Sequence, residues 1–423
     1  MTGGMTVNGK KTGQVLAALN FMILMAALGA SDSLRGIFAP AFQEHFSLNA
    51  SSLSLIIVVS YIGNLIFLCF GGQILDAYPK KKVTLSVIAL WMGALILYLT
   101  TDHFILLLVG MFFSMGASTL LNTTVNILTP ALFVTAPGMM VNIFFFVQGI
   151  GTSGSQNLAG RAAGSYQAFR MVNLILLVMG IISFLLLLKV EVPDDREKTG
   201  SKTKKNGREK KDGKAKTSGG ENKVPWTDIM KADGFWMLVL IFGLYFVAEH
   251  GILNWLVSYG TESLGLTSAK AAFYLSLFFG GMTVGRLVFA PAVSRFGAFK
   301  SILFFGGAGT LLFTAGILSG TGGLWMLSLS GLAMSILYPT LVFMINYIFP
   351  ANMLGGALGM VISVATLFDI GFNFLFGRLI DRIGFSVSFL IIPACMVGFY
   401  ISYLVFYRRY KALQKSNVRG EHE

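Results

Sequence analysis

The sequence predicts an all-α polytopic membrane protein: twelve transmembrane helices in two six-helix bundles related by pseudo-two-fold symmetry. Three observations predict it. The 423 residues are 55% hydrophobic and only 12% charged, with mean hydropathy +0.72, whereas an ordinary soluble chain carries about 25% charged residues. The apolar residues gather into runs of about 20, the length that crosses a bilayer as a helix. A polar, charge-rich interruption at 191–224, reading REKTGSKTKKNGREKKDGKAKTSGGENK at its centre, separates those runs into two sets of similar length.

In chain order the runs are 15–38, 50–75, 83–100, 104–133, 138–162 and 169–189, then 233–259, 270–292, 299–319, 323–349, 354–376 and 386–407. Backbone N–H and C=O groups in lipid must be satisfied within the segment, so each run reads as a helix. The strand alternation of a membrane β-barrel is absent. The first run follows Lys10 and Lys11 without a small-residue cleavage site, which reads as a retained helix. Cys69 and Cys395 both fall inside apolar runs, so no disulfide framework is implied. Domain boundaries follow: 1–190 as an N-terminal bundle, 191–224 as a disordered basic linker, and 225–423 as a C-terminal bundle with a tail.

The net charge of +13 does not point to nucleic acid, because of where it sits. Lys10/Lys11, Lys80–Lys82, the 191–224 segment, Arg295/Lys300 and Arg408/Arg409/Lys411/Lys415 fall on one side if the spans alternate. The opposite loops, at Glu44–His45, Asp102–His103 and Glu262, are acidic or neutral. Arg161, Arg170, Arg378 and Arg382 run against the pattern without reversing it. The balance predicts a cytoplasmic (plasma) membrane protein with both termini cytoplasmic. The linker reads as a solvated tether, with contact to anionic lipid head groups as the alternative.

The halves also repeat. At an offset of 218, Phe46–Asn49 meets Leu264–Thr267, Gly72–Asp76 meets Ala290–Ser294, and Lys82 meets Lys300. At 217, Gly138 meets Gly355, Gly154 meets Gly371, and Gly160–Arg161 meets Gly377–Arg378. Six spans repeated as six is an arrangement in which two halves rock around a site at their interface.

The loop after the second span reads Gly72-Gln73-Ile74-Leu75-Asp76-Ala77-Tyr78-Pro79-Lys80-Lys81. It resembles the loop pattern of the major facilitator superfamily, keeping the Gly, the Asp and the basic pair, and departing at Ala77 (usually Arg) and Pro79 (usually Gly). The resemblance implies a gating loop of Gly72, Asp76, Lys80, Lys81 and, from the second half, Arg295. There the acid meets the neighbouring bundle in one conformation only. Gly377–Gly384 echoes the same pattern at the eleventh span. Three further segments resemble the fucose–proton symporter group and its sugar-transporting relatives. They are Asn122-Thr123-Thr124-Val125-Asn126, the stretch from Asn142 to Gln148-Gly149, and Tyr245 through Glu249 to Trp255 and Tyr259. In the first, Asn122 stands where the group has its coupling carboxylate. An amide does not titrate, so the proton site has moved, another ion is coupled, or the protein is a facilitator. The fifth span has Gly154-Ser155 where drug antiporters of the superfamily carry Gly-Pro, which counts against an export antiporter.

Ionisable residues inside spans are costly and default to function. Glu249, with His250 beside it, is the first candidate for proton or ion coupling, and Asp32 is at nearly the equivalent position in the first span. Arg35 lies three residues after Asp32, so the two could instead satisfy each other locally. Asn122, Asn126, Asn142, Gln148 and Asn254 offer donors and acceptors to a hydroxyl-rich ligand. Trp255 and Tyr338 could stack on a sugar ring, and Asp369, with Asn373 four residues on, completes the candidate substrate-binding set.

The expected activity is secondary active transport of a small polar, sugar- or polyol-like solute, by alternating access and coupled to protons or another ion. The expected transporter is a monomer. An organic-anion transporter using Arg35, Arg161 or Arg286 is the alternative, disfavoured by their positions toward span ends, and a receptor that binds without net transport is a third. Nothing implies an enzyme. There is no P-loop, no cofactor motif, and the four histidines lack metal-ligand spacing.

Overall fold

The computed structural model describes residues 7–134, 137–192, 225–350 and 353–420, with side chains left out at 7–12, 76, 290, 355 and 412–420. The charged segment of the sequence therefore lies outside the described residues from 193 to 224.

Every regular element described is helical. The first half contains α1 (Val7–Ile37), α2 (Ala39–Phe46), α3 (Ala50–Ala77), α4 (Lys80–Thr100), α5 (Phe104–Leu132), α6 (Pro137–Gly160) and α7 (Tyr166–Lys189). The second contains α8 (Trp226–Lys231), α9 (Phe235–Glu262), α10 (Ser268–Phe296), α11 (Ala298–Leu318), α12 (Leu324–Met334), α13 (Leu337–Ile348), α14 (Leu354–Ile383), α15 (Phe385–Ser388) and α16 (Ile391–Gly420). Eleven segments are long and apolar enough to cross a membrane, so the chain is a multi-pass membrane protein. α6 is not among them. Its Asn142, Gln148, Thr152, Ser153, Ser155, Gln156 and Asn157 dilute the apolar content.

Two predicted spans are broken, and proline explains both. The run 323–349 is divided into α12 and α13 at Ser335–Ile336. Pro339 follows Ser335 by four residues, the carbonyl that a proline ring displaces and cannot bond. The run 386–407 is interrupted between α15 and α16, four residues before Pro393, by the same mechanism. Ser47 adopts a left-handed φ of 53° where α2 ends, and Asn49 caps α3 by accepting the Ser52 amide at 2.9 Å.

Both halves pack in the same order. α1 lies on α6 and α7, α3 on α5, and α4 on α5 and α7; correspondingly α9 lies on α14 and α16, α10 on α12, and α11 on α12 and α16. The halves meet along α1–α9, α3–α14 and α6–α10. Gln14 bonded to the Leu132 carbonyl, Lys81 bonded to the Leu188 carbonyl, and Arg409 paired with Asp233 mark one end of the molecule, here the near end. α2, the turn at Thr101–His103, Glu262 and Asp381 mark the far end.

Candidate functional site

Among the described residues, the hydrogen bonds between the two halves are one-sided: each lies in the far part of the molecule. Asp381, near the end of α14, accepts the amides of Ala50 and Ser51 at 2.9 Å each and the Ser51 hydroxyl. These are the orphan donors of the α3 N-terminus, where a carboxylate is favoured by the helix dipole. Gln43 of α2 donates to Glu262 at 3.1 Å. Ser276 of α10 donates to the Ser153 carbonyl of α6 at 2.7 Å. Two glycines set the closeness. A Cβ at Gly36 would overlap the Leu253 carbonyl oxygen, and one at Gly377 would lie 2.6 Å from that of Ala50. The far end is sealed.

Arg35 is the centre of the seal. It is 5% exposed. Its Nε donates to Asn254 Oδ1 at 2.9 Å, one terminal nitrogen to the Tyr61 hydroxyl at 3.3 Å, and the other to Met115 Sδ at 3.2 Å. Asn254 Nδ2 also donates to Tyr61 at 3.1 Å, closing a three-residue ring across α1, α3 and α9. The guanidinium lies 4.9 Å from the centre of the Tyr61 ring. The local Asp32–Arg35 pair does not form. Asp32 accepts the Ser118 hydroxyl at 2.9 Å instead, beside a pocket of about 10 Å³ that Arg35 also lines.

Immediately beneath that ring, His250 stacks between Tyr61 and Phe246, with centroids 5.3 Å from each. Its Nδ1 lies 2.6 Å from Oδ2 of Asp369, which is fully buried. Asn373 Nδ2 donates to Asp369 Oδ1 at 3.0 Å, and Trp255 Nε1 donates to Asn373 Oδ1 at 2.9 Å. Trp255, expected as a possible sugar-stacking ring, is therefore buried inside this chain of bonds, and Asp369 faces His250 rather than standing apart from it.

Glu249 points elsewhere. It is half-buried and makes no ion pair among the described residues. It acts electrostatically on the phenols of Tyr245 and Tyr338, and Arg286 acts on the same two. Tyr338 also packs against Phe242 and Phe246. Arg286, Asn142, Thr283, Phe145, Phe146 and Leu287 line a cavity of about 170 Å³ between α6 and α10. On α5, Asn122 donates to the Ser118 carbonyl at 3.0 Å and its Oδ1 is buried without a partner. Asn126 and Gln148 are half-buried and Asn142 is exposed.

The expected gating residues lie toward the near end, away from the seal. Gly72 and Arg295 are exposed, Lys81 donates to the Leu188 carbonyl at 2.9 Å within its own half, and the Asp76 side chain lies outside the described residues. Tyr61 was not singled out from the sequence, where one tyrosine in an apolar span carries no signal. Asp381 had only the repeated loop pattern to mark it. The described residues contain no cluster of metal ligands.

The family model of the Major Facilitator Superfamily matches residues 13–367. No curated protein matches the chain in sequence. Among solved structures, a variant of the nucleoside transporter NupG superposes with a TM-score of 0.73 at 12% identity, covering 92% of this chain and 99% of that one. A bacterial homologue of the human lysosomal transporter Spinster, inward-facing and unoccupied, gives 0.71 at 12% identity, covering 96% and 98%. The E. coli fucose:proton symporter FucP, in its outward conformation, gives 0.60 at 18% identity, covering 93% and 99%. The outward structure has the higher identity and the lower superposition.

Proposed function

The chain belongs to the major facilitator superfamily, and from that premise we propose that it is a proton-coupled transporter of a small hydroxyl-rich solute, sugar- or polyol-like, working by alternating access in the plasma membrane. The observation that carries this reading is the one-sided bonding of the two halves. The far end is held by Arg35, Asp381 and the α6–α10 contact. On the other side of that seal, the side-chain amides of Asn126, Asn142 and Gln148 make no hydrogen bond among the described residues, and Tyr338 is half-buried. With the near end cytoplasmic, as the distribution of basic residues suggests, this is the inward-facing state. Two rigid halves, 1–190 and 225–423, would exchange the far-end bonds for near-end ones in which Asp76 and the basic pair Lys80/Lys81 take part.

Two groups suit proton coupling. Glu249 faces the solute side, among Tyr245, Tyr338 and Arg286. The His250–Asp369 pair sits directly under the seal, touching Tyr61 of the opposite half. A proton held by either would change the balance between the closed and open far end, which is what coupling requires. The amides Asn122, Asn126, Asn142 and Gln148 supply both donors and acceptors for hydroxyl groups. NupG, a nucleoside transporter, and FucP, a fucose:proton symporter, share this fold and are in keeping with this class of solute.

The test is uptake into proteoliposomes of wild type, Glu249→Gln and Asp369→Asn, with and without an inward-directed pH gradient. Loss of accumulation with retention of counterflow assigns coupling to the altered residue. If both variants still concentrate solute against its gradient, neither is the coupling site and the proton-coupled reading fails.

A further inference from the structure

Arg286 is an exposed cation on α10, at the cavity between the two halves, with no ion pair and no hydrogen bond among the described residues. That is unusual for a charge placed within a span, where an unpaired ion is expensive. Its charge acts on Tyr245, which is fully buried on α9, and on Tyr338 of α13. It also lines a cavity whose opposite wall, Asn142 with Phe145 and Phe146, belongs to the other half of the molecule. Glu249 reaches the same two tyrosines without pairing to Arg286. The guanidinium therefore stands at the seam between α6 and α10 with its donors unspent.

We propose that the transported solute carries an anionic group, a carboxylate on a polyhydroxylated chain, and that Arg286 with Asn142 is its binding subsite. This rests on the hydroxyl-rich reading above and narrows it from neutral sugars to sugar acids. A guanidinium offers a fork of N–H donors that matches a carboxylate bidentately. The Asn142 amide is exposed, makes no hydrogen bond among the described residues and supplies a further donor. Phe145, Phe146 and Leu287 keep the surroundings apolar, which strengthens the attraction. A cavity of about 170 Å³ holds the equivalent of about five or six waters at roughly 30 Å³ each, room for a carboxylate and the first few carbons of a small solute. The remaining hydroxyls then extend toward Glu249, Gln148 and the amides of α5.

The position also gives the anion a part in the cycle. Nearer the far end, α6 and α10 are already in contact, through Ser276 on Ser153 and the close approach of Gly149 to Thr283. Arg286 lies just beyond that contact, where the seam is open. Closing the seam over a bare guanidinium would bury an unpaired charge, and closing it over an Arg–carboxylate pair would not. The solute's own charge thus favours the occluded state, which is the differential binding that drives the conformational change.

The experiment uses the purified full chain in nanodiscs of zwitterionic, net-neutral phosphatidylcholine and the matched pair D-gluconate and D-glucitol, which differ by a carboxylate in place of one hydroxymethyl group. Calorimetry should show gluconate binding at least tenfold more tightly than glucitol. Arg286→Gln should remove that preference, so that gluconate and glucitol bind that variant equally, and Arg286→Lys should restore part of it. An unchanged size-exclusion profile and melting temperature for both variants exclude misfolding. Equal affinities in wild type, or a gluconate preference that survives Arg286→Gln, would overturn the proposal. Binding of glucitol alone sinks the anionic subsite and leaves the polyol reading standing; hexanoate binding as tightly as gluconate does the reverse. Binding of neither probe counts against both. Repeating the titration with phosphatidylglycerol tests the other source of an anion, since a lipid head group that displaces all gluconate binding would make the lipid the occupant.

Discussion

Arg35 and Arg286 are the same residue type in the same kind of apolar helix, and their surroundings differ in every respect that matters. Arg35 is buried at the seal and its guanidinium is spent on Asn254, Tyr61 and Met115. Arg286 is exposed to a cavity at the same interface and has no such partner among the described residues. Neither forms an ion pair among the described residues; Asp32 lines the same small pocket as Arg35 but bonds to Ser118. The partners of Arg35 are neutral, so the bonds can be made and broken without stranding a second buried charge. That suits a latch between two moving halves. Arg286 has nothing to release and waits for a ligand. One cation holds the conformation; the other reads the cargo.

The largest effect that would test this contrast comes from Arg35→Gln. Hydrogen bonds to a charged group contribute about 1.5–3 kcal/mol each, and the glutamine keeps some of the geometry. We expect the far end to lose about 3 kcal/mol of closure, on the order of a hundredfold in the open-to-closed ratio. Spin labels at positions 43 and 262, where Gln43 and Glu262 meet across the halves, should separate in double electron–electron resonance. Arg286→Gln breaks none of the far-end bonds and should widen that distance distribution far less than Arg35→Gln does. If the two variants widen it equally, the division of labour is wrong.

Asp369→Asn comes next. The substitution keeps a hydrogen-bonding group against His250 and Asn373 but removes the buried charge. Breaking buried pairs outright costs about 3–5 kcal/mol, and the isosteric amide should cost less, about 2 kcal/mol. The expected result is a lower melting temperature together with gradient-independent uptake. A variant that melts lower while its uptake still follows the pH gradient would make the pair structural only.

Much of this arrangement was legible in the sequence, and the missing part has a common cause. Glu249, His250 and Asp369 announce themselves because an ionisable residue in an apolar run is expensive wherever it ends up. The i, i+4 spacing of Asp369 and Asn373 gives their bond directly. The pairing of Asp32 with Arg35 looked equally local and does not occur, because each finds a better partner on another helix: Ser118 for one, Asn254 for the other. Arg35 and Asn254 are 219 positions apart, and no spacing rule reaches that far. Tyr61 is silent for the opposite reason, since an aromatic residue in a membrane helix is ordinary until two donors converge on its hydroxyl. The helix breaks before Pro339 and Pro393 were available from the proline positions alone.

A smaller effect is expected at Asp381, which holds the halves together by capping α3 rather than by pairing with a cation. Removing a charge from a helix N-terminus costs about 0.3–1 kcal/mol. Asp381→Asn should therefore shift the far-end equilibrium severalfold at most, in the same direction as Arg35→Gln. The same pair of spin labels reports it. A shift as large as that of Arg35→Gln would move the main latch from the ring around Arg35 to the α14–α3 contact.

The smallest effect lies outside the membrane, in a cluster that ties the far end of one half to itself. Arg170 donates to Asp102 at 2.7 Å and to the Thr101 carbonyl at 2.9 Å, and His45 of α2 lies 3.1 Å from the same carboxylate while stacking on Tyr166. The hydrogen bond from Arg170 is the main reason the Asp102 carboxyl is held below its ordinary value of 3.8, with its charge and the neighbouring His45 adding to the effect. A carboxylate whose pKa is lower in the folded state contributes stability that is fully present above the unfolded value and is lost as pH falls through the folded one. The contribution is therefore intact at neutral pH and disappears only below about 4. The group is fully exposed, so solvent screens it and the effect is small. Melting temperatures of wild type and Asp102→Asn should differ slightly at pH 7 and converge as the pH is taken below 4. Arg35→Gln, whose bonds involve no exposed carboxylate, should keep its offset from wild type over the same range. Convergence of both variants would mean that the acid response belongs to the seal rather than to this surface cluster.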